Sequence, residues 1–263
     1  MAKQLYIISA GPLQKRMLAP RRSPGDCPKV RAEKHKSTCA AQRIYNQRMA
    51  YEKLEEQLAV NFPTPRSALV ATLTLRPELQ PKSRPDREAR TVMTRYVEAF
   101  RGSMNRQRDR AGLPRITAFW AIEGLSSPEL GWHVHLVLDN TGDDYEAIRK
   151  AWKYGDVIEI QPLRVDDEKN WETLARYMTK EARSCQDYSS REGLPSWSHT
   201  RNIRKPERES VAVDDDYQIE VPEDAVVLAD CERGSELWPA RFVKYRSRVR
   251  GRTPRARRRR RKR

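Results

Sequence analysis

Residues 132–138 have the sequence Trp-His-Val-His-Leu-Val-Leu, which combines an apolar β-strand with two histidines. Successive side chains of a strand point to opposite faces of its sheet, so His133 and His135 share one face. Val134 and Leu136 then point to the other face, into a core. Two neighbouring imidazoles on one sheet face make half of a typical site for a divalent metal ion. Surface or packing histidines are the alternative explanation of the same pattern.

Segments on both sides of this strand alternate between strand and helix patterns. Short β-branched runs predict strands, and apolar residues at intervals of three and four predict amphipathic helices. In chain order these are a strand over 67–75, a helix over 86–111, strands over 116–123 and 132–138, a helix over 144–153 and a strand over 156–161. This β-α-β-β-α-β order predicts an α+β fold of the ferredoxin-like or RRM-like type, an antiparallel sheet with helices on one face. Further helices are predicted over 40–60 and 168–184.

The charge of the chain points to a polyanionic partner. It carries 52 Lys and Arg against 36 Asp and Glu, a formal net charge of +16. A folded surface with such an excess favours polyanions, so the composition predicts a nucleic-acid binder. No apolar run approaches the roughly 20 residues that cross a bilayer, so no membrane partner is expected. The four cysteines are widely spaced without a CxxC pair, and a cytoplasmic protein is expected.

Changes in composition predict four segments. Residues 11–37 are rich in Pro, Arg and Lys without periodicity, and residues 1–37 are expected to form a mobile basic arm ahead of a folded domain over 38–206. Residues 207–240 are expected to be an acidic appendage, irregular or two-stranded. Residues 241–263 hold 14 basic residues and no acidic one, so they are expected to be a disordered Arg-rich tail.

A carboxylate stands close to the two histidines in the predicted hairpin. Glu123 ends the strand that precedes them, and that end lies across from the start of the next strand in an antiparallel pair. There it would complete a set of two histidines and one carboxylate, with positions left open for water or a phosphate oxygen. A solvated glutamate at a strand end is the alternative explanation.

The last predicted helix carries a further pair of polar residues, in the stretch Tyr177-Met-Thr-Lys180. A spacing of three places Tyr177 and Lys180 on nearly the same side of the helix, while Met178 and Leu174 are buried. The alternative is a tyrosine at the edge of the core beside a solvated lysine.

Together these segments resemble the HUH endonucleases, and among them the rolling-circle replication initiators of phages, plasmids and prophage-like elements. Three motifs carry the resemblance: Ala71-Thr-Leu-Thr-Leu75, Trp132-His-Val-His-Leu-Val-Leu138 and Tyr177-Met-Thr-Lys180. Two more segments are similar to parts of such initiators, Gln42-Arg-Ile-Tyr-Asn46 upstream and residues 197–206 downstream. The resemblance covers about residues 40–206, with the motifs in order.

The resemblance implies a metal-dependent DNA endonuclease and strand transferase, with a role for each residue. His133, His135 and Glu123 would hold Mg²⁺ or Mn²⁺, since two imidazoles and one carboxylate with open positions suit either metal. Tyr177 would attack a DNA phosphate to form a 5′-phosphotyrosine intermediate. Lys180 would stabilise charge near the scissile phosphate.

The number of tyrosines bears on the mechanism that the resemblance implies. Initiators with paired tyrosines carry the second one helical turn after the first, where this chain has Glu181. A single-tyrosine mechanism is therefore expected, with Tyr188 in the following loop as the reserve nucleophile.

Substrate and partners follow from the expected site. A tyrosine lying against a sheet cannot reach a phosphate inside an intact duplex, so single-stranded or hairpin DNA at a replication origin is expected. Arg201, Arg204 and Lys205 follow the last predicted helix and are candidates for gripping the DNA backbone, although a solvated basic loop explains them equally well. The chain has no GxxxxGK[ST] phosphate loop, so a host helicase in a bacterial cytoplasm is an expected partner.

Two alternatives share these features. A relaxase or transposase would perform the same nicking step. A non-catalytic RRM-like nucleic-acid-binding module would have the same topology. This chain lacks the aromatic-rich binding strand of RRM domains, and such a module has no need of paired histidines.

Overall fold

The structure, a computed structural model, describes residues 3–21, 40–81, 87–124, 131–142, 144–180, 195–235 and 238–247. These residues form an α+β protein with two antiparallel sheets and four α-helices. The chain divides into two compact units, with the divisions after Asp26 and after Pro206. We call the unit formed by residues 3–21 and 207–247 the β-unit, and the unit within residues 40–206 the α+β unit. No helix in the described ranges is long and apolar enough to span a membrane.

The secondary-structure elements are as follows. The helices are α1 (Ala40–Asn61), α2 (Arg87–Arg110), α3 (Asp144–Ala151) and α4 (Trp171–Met178), with a short 3₁₀ turn at Pro77–Leu79. The strands are β1 (Lys3–Ala10), β2 (Leu13–Pro20), β3 (Ala68–Thr74), β4 (Ala118–Glu123), β5 (His133–Asp139), β6 (Val157–Pro162), β7 (Ser198–His199), β8 (Glu207–Val213), β9 (Val226–Ser235) and β10 (Trp238–Arg246).

The sheet of the α+β unit has the strand order β6-β3-β5-β4-β7, and every neighbouring pair is antiparallel. Along the chain, β3, α2, β4, β5, α3 and β6 follow the predicted order of strands and helices. Seven of the eight predicted elements begin and end within two residues of their expected limits. The helix expected over 168–184 is observed as α4 from Trp171 to Met178, and residues 181–184 lie outside the described ranges. The apolar periodicity of the sequence therefore predicts the elements of this unit.

One face of this sheet packs against α2 and α3. Side chains alternate along β5, so Val134, Leu136 and Leu138 are buried on this face, and the odd-numbered residues of the strand point to the opposite face. The cluster that they join combines strand and helix side chains, including Leu69, Leu73, Trp120, Met93, Val97, Phe100 and Ile148. This apolar layer is the main core of the α+β unit and fixes the register of its strands.

The opposite face of the sheet is covered in part by α1 and α4, so the expectation of helices on one face is wrong. Phe62, which follows α1, packs edge-on against Phe119 of β4, with 5.8 Å between ring centroids. Trp171 of α4 donates from Nε1 to the backbone oxygen of Phe62 at 2.9 Å. The two helices outside the β-α-β-β-α-β order supply this second layer, and β4 and β5 are accordingly buried on both faces.

The β-unit is a five-stranded antiparallel sheet in the order β8-β1-β2-β10-β9. Its first hairpin turns at Gly11 and Pro12, and Gly11 has φ +60°, the positive value that tight two-residue hairpin turns use. Leu5, Leu18, Val243 and Tyr245 are buried on one face, where Ile219 of the β8–β9 connection packs on them. Segments from the two ends of the described chain thus share one small core.

This sheet corrects three predicted segments. The expected mobile arm over 1–37 is wrong for residues 3–20, which form β1 and β2, and residues 22–37 lie outside the described ranges. The expected appendage over 207–240 instead contributes β8, β9 and the start of β10. The expected tail over 241–263 is wrong for 241–246, where Phe242, Val243 and Tyr245 are buried in β10. In each case the composition predicts irregular backbone. Pairing with a strand distant in the sequence instead satisfies the backbone N–H and C=O groups.

A buried arginine ties three elements of the α+β unit together. The side chain of Arg108, near the end of α2, is 2% exposed. Its guanidinium donates to Asp139 Oδ2 at 2.7 Å and to Asp144 Oδ2 at 3.0 Å. It also donates to the backbone oxygen of Asp139 at 2.8 Å. The end of β5 and the start of α3 are therefore held to α2 by one side chain.

We expect the Arg108→Ala variant to lower the free energy of unfolding of the α+β unit by about 3–5 kcal/mol, because it leaves the buried Asp144 carboxylate, and the partly buried Asp139 carboxylate, without their cation. The matched control is Arg110→Ala, an exposed arginine in the same last turn, with an expected change within about 0.5 kcal/mol. Urea denaturation followed by tryptophan fluorescence measures both, since five of the six tryptophans lie in this unit. Equal losses in the two variants would contradict the assignment.

Candidate active site

Strand pairing brings the predicted metal ligands together. Glu123, the last residue of β4, lies directly opposite His133, the first residue of β5. His135 follows two residues later on the same face of the sheet. The side chains are 1%, 0% and 2% exposed for Glu123, His133 and His135, respectively. A solvated glutamate and surface histidines are therefore excluded for these positions.

The three side chains converge on a single carboxylate oxygen. Glu123 Oε2 lies 3.2 Å from His133 Nε2 and 3.1 Å from His135 Nε2. Neither Nε2 makes a hydrogen bond of normal geometry, although both atoms are buried. One ligand atom from each residue falls within a span of 4.8 Å. Two imidazoles and a carboxylate in this arrangement could hold a divalent metal ion, and the buried Nε2 atoms fit that role.

The outer nitrogen of each imidazole contacts an oxygen that orients its ring. His133 Nδ1 lies 2.8 Å from the backbone oxygen of Gly131, and His135 Nδ1 lies 3.4 Å from Thr72 Oγ1. Donation of an Nδ1 proton to an oxygen leaves the Nε2 lone pair directed into the site. Ligating histidines are typically oriented in this way by an outer partner.

The electrostatics of the site favour the protonation states that bind a metal. Burial alone would raise the pKa of Glu123, but its close contacts with the His133 and His135 imidazoles and the positive charge of Lys180 outweigh burial and hold that pKa far below its ordinary range. Burial lowers the pKa of His135 below the ordinary 6.5, and the charges of His133 and Lys180 act in the same direction, against Glu123. An ionised carboxylate beside a neutral imidazole is the form in which both act as ligands.

Helix α4 brings the predicted nucleophile to the same place. Asn170 caps this helix, and its side chain accepts from the backbone nitrogens of Glu172 and Thr173. Trp171, Ala175 and Met178 are spaced by four and three residues, so they lie on one side of the helix, and all three are buried there. The local sequence thus fixes both where the helix starts and which side faces the sheet.

Tyr177 and Lys180 both contact the metal-ligand cluster. The Tyr177 ring is 4.5 Å from the His135 ring, centroid to centroid, and the tyrosine is 44% exposed. Lys180 Nζ lies 3.2 Å from Glu123 Oε2 and 4.3 Å from the centroid of the Tyr177 ring. Five polar side chains, from β4, β5, α4 and the residues just after α4, therefore form one cluster with an exposed phenol at its rim.

The predicted DNA-gripping residues lie elsewhere. Thr200 donates its backbone nitrogen to the oxygen of Ala118, so the segment that follows β7 lies at the start of β4. Glu123 is five residues further along β4, roughly 17 Å away at the rise of a strand. Arg201, Arg204 and Lys205 are exposed in this segment, and Arg204 donates to the backbone oxygen of Asn61 at 3.2 Å. The structure does not bring them to the cluster.

Several residues that orient the site went unpredicted. Thr72 was noticed only as part of a motif, although its alternation with buried Leu73 could have placed it on the histidine face. Gln80 accepts at Oε1 from the backbone nitrogen of Trp132 at 2.7 Å and donates from Nε2 to the oxygen of Leu75 at 3.0 Å. No local sequence signal marks Gln80. Glu181 and Tyr188 lie outside the described residues.

Gly131 makes the turn that starts β5 and presents its oxygen to His133. Its φ is +60°, and a Cβ atom there would lie 2.8 Å from Gln80 Oε1. Gly131→Ala is therefore expected to displace Gln80 and the Trp132–His133 backbone, and to weaken Mn²⁺ binding about tenfold or more. Isothermal titration calorimetry measures the affinity.

The matched control for this variant is Gly142→Ala. Gly142 also has a positive φ, +113°, but a Cβ atom there would meet nothing within 4 Å. We expect it to lose stability through backbone strain while its Mn²⁺ affinity stays that of the wild type. Equal affinities in all three proteins would contradict the orienting role of Gly131.

The lowered pKa of His135 makes the stability of the metal-free protein depend on pH. An unfolded imidazole takes up a proton as the pH falls through about 6.5, whereas folded His135 does so only at lower pH. The folded state then binds fewer protons and loses stability as the pH falls below about 6.5, and the loss disappears above that value. Thermal unfolding in EDTA at pH 7.5, 6.5 and 5.5 should show a steeper loss for wild type than for His135→Gln. Parallel curves would contradict this.

Comparisons with known proteins find no relative of this chain. No protein-family model, no curated protein and no solved structure matches the chain.

Proposed function

We propose that the protein is a metal-dependent nickase and strand transferase that cuts single-stranded DNA through a 5′-phosphotyrosine intermediate. One observation carries the proposal: the exposed phenol of Tyr177 on α4 and the ammonium of Lys180, two residues beyond α4, meet a buried Glu-His-His set from two strands. Burial of such a polar set is costly for a structural role, because apolar residues would pack there without loss of hydration.

The topology of the α+β unit supports the proposal. The unit has the order β-α-β-β-α-β with four strands ordered β6-β3-β5-β4, which is consistent with the ferredoxin-like arrangement that the sequence predicts. In it, the two central strands carry the first two motifs of the resemblance side by side, with Thr74 opposite His133 and Thr72 opposite His135. The third motif lies on α4, over the same face.

Glu123, His133 and His135 would hold Mg²⁺ or Mn²⁺, which when bound would withdraw charge from the non-bridging oxygens of a phosphate. The protein's own contribution is to fix the three ligand atoms before substrate arrives. The contacts of Gly131 and Thr72 with the outer imidazole nitrogens serve that end.

Tyr177 would act as the nucleophile. Its oxygen forms a bond to phosphorus, the bond from phosphorus to the 3′ oxygen breaks, and the phenol proton is balanced by the proton that the departing 3′ hydroxyl gains. A later 3′ hydroxyl attacks the phosphotyrosine in the reverse sense and reseals the strand. The number of phosphate ester bonds is unchanged at each step, so no nucleotide cofactor is required.

Lys180 would stabilise negative charge on the phenol oxygen or the phosphate. Its Nζ lies within 3.2 Å of Glu123 and 4.3 Å of the Tyr177 ring, so the ammonium stands between the ligand set and the nucleophile. A fixed charge in that position needs no reorganisation during the reaction.

The biological setting is proposed from the motif resemblance. It implies initiation of rolling-circle replication of a mobile element at a single-stranded or hairpin origin, with a host helicase, in a bacterial cytoplasm. A relaxase or transposase would use the same chemistry at a different DNA. The positive charge of the chain suits any of these substrates.

The test is a covalent-adduct assay with the full chain, labelled single-stranded DNA of randomised sequence and Mn²⁺, read on a denaturing gel. We expect an adduct with wild type, none in EDTA, and at least a hundredfold less with Tyr177→Phe. Tyr145→Phe is the matched control, an exposed tyrosine on α3, and should react like wild type. Absence of an adduct from wild type, with intact DNA binding in Tyr177→Phe and His133→Ala, would favour the non-catalytic RRM-like module.

Lys180→Met separates the lysine's role from the metal site. We expect slower adduct formation but Mn²⁺ binding at least as tight as wild type, because a positive charge next to a ligand oxygen is removed. Loss of Mn²⁺ binding in this variant would instead make Lys180 a structural support of the ligands.

A further inference from the structure

A cleft of about 420 Å³ opens beside the proposed nucleophile, between strands β3 and β6 and helix α4. We call it the β6–α4 cleft. It is lined by Val70, Thr72, Glu159, Gln161, Leu174 and Tyr177, with further residues at its rim. Its size is that of a small-ligand site, and Tyr177 forms one of its walls.

Strand register places this cleft on the histidine face of the sheet. Glu159 of β6 pairs with Thr72 of β3, which pairs with His135 of β5. Paired residues point to the same face, so the Glu159 and His135 side chains share one row, two strand spacings or roughly 10 Å apart. A nucleotide whose phosphate lay at Tyr177 would have its base within reach of the cleft.

The lining suits a nucleobase. The floor is apolar, formed by Val70, Leu163 and Leu174, and offers area to the flat faces of a base. The polar wall is a pair in which Gln161 Nε2 donates to Glu159 Oε1 at 2.9 Å. This pairing orients the remaining oxygens of the two side chains as acceptors. Acceptors match the exocyclic amino groups of adenine, cytosine and guanine, which thymine lacks.

The same chemistry excludes other occupants. A phosphate in the cleft would meet the carboxylate of Glu159, so the cleft does not suit the DNA backbone. Two cations, Arg164 and Lys169, lie at the lining, and backbone phosphates can pass there. The cleft therefore offers acceptors to a base on one wall. Its basic groups, at a different part of the lining, suit the phosphates of the DNA that carries this base.

We propose that the β6–α4 cleft holds the base of one of the two nucleotides that flank the bond attacked by Tyr177, and selects an amino-bearing base over thymine there. This inference rests on the proposed nicking function and adds a sequence-reading site to it. Selectivity arises because thymine has no exocyclic amino group; its single donor, the ring N3–H, lies between two carbonyl oxygens, so donation to one acceptor would bring a carbonyl oxygen against the Glu159 carboxylate.

The experiment uses the full chain with Mn²⁺ and single-stranded DNA of randomised sequence. Adducts are isolated, and both the attached and the released fragments are sequenced, so that the bases on both sides of the cut are known. The variants are Gln161→Leu and Glu159→Leu, which remove the acceptors one at a time from an edge strand. Glu168→Leu is the matched control, an exposed acid of the neighbouring loop outside the lining.

We expect wild type and Glu168→Leu to disfavour thymine about tenfold or more at one flanking position. Each acceptor variant should reduce this to threefold or less at that position and leave preferences elsewhere unchanged. Adducts without base preference at either flanking position, or a preference that both acceptor variants retain, would overturn the cleft assignment while the nicking function stands. No adduct from wild type would overturn the nicking function, and the cleft assignment with it.

Discussion

A buried carboxylate is the constraint on which the α+β unit depends. Glu123 is almost fully removed from water, and an ionised carboxylate in that position is costly unless charges and donors surround it. The compensation comes from two imidazoles on β5 and an ammonium just beyond α4. The end of β4, the start of β5 and the end of α4 must therefore meet at one point. A set of groups suited to chemistry is also the set that fixes how these elements pack.

Strand β5 contributes to both faces of the sheet, because its alternating side chains enter the apolar core on one face and the Glu-His-His cluster on the other. Val134, Leu136 and Leu138 enter the apolar layer under α2 and α3, and the histidines enter the opposite face. A slip of one residue would exchange the two sets, which would bury imidazoles in an apolar core and expose leucines to the active-site face. The large apolar layer thus holds the register on which the ligand geometry depends.

Much of the α+β unit could be predicted because its signals are local. Periodicity gave the elements, and a short β4–β5 connection gave the approach of Glu123 to His133. The β-unit could not be predicted in this way. β1 pairs with β8 about 200 residues later, and nothing in residues 3–10 names that partner. Prolines and basic residues after Gly11 predict irregular chain, although Gly11 and Pro12 form a tight hairpin turn. Many arginines around β10 likewise predict disorder, although its apolar residues alternate as in a strand.

The sequence predicts side-chain placement in the candidate site where that placement depends on strand alternation and helical spacing, but not where it depends on the path of the chain. Tyr177 and Lys180 reach the ligands because three residues on a helix bring them to one side. Arg201 follows that helix in sequence, but β7 returns the chain to the far end of β4, so Arg201 lies away from the cluster. The acceptors of the β6–α4 cleft needed the pairing of β6 with β3, which single-strand patterns do not reveal.

The discontinuous sheet of the β-unit also dictates an order of events during synthesis. β1 and β2 leave the ribosome well before β10, which pairs with β2 and ends only at Arg246. At roughly 5–20 residues per second, the early hairpin waits roughly 10–45 s for that partner. Meanwhile it has two open edges, and a lone hairpin is marginally stable. The contiguous α+β unit is complete before the waiting hairpin, so nascent chains released early carry unpaired edges that invite aggregation.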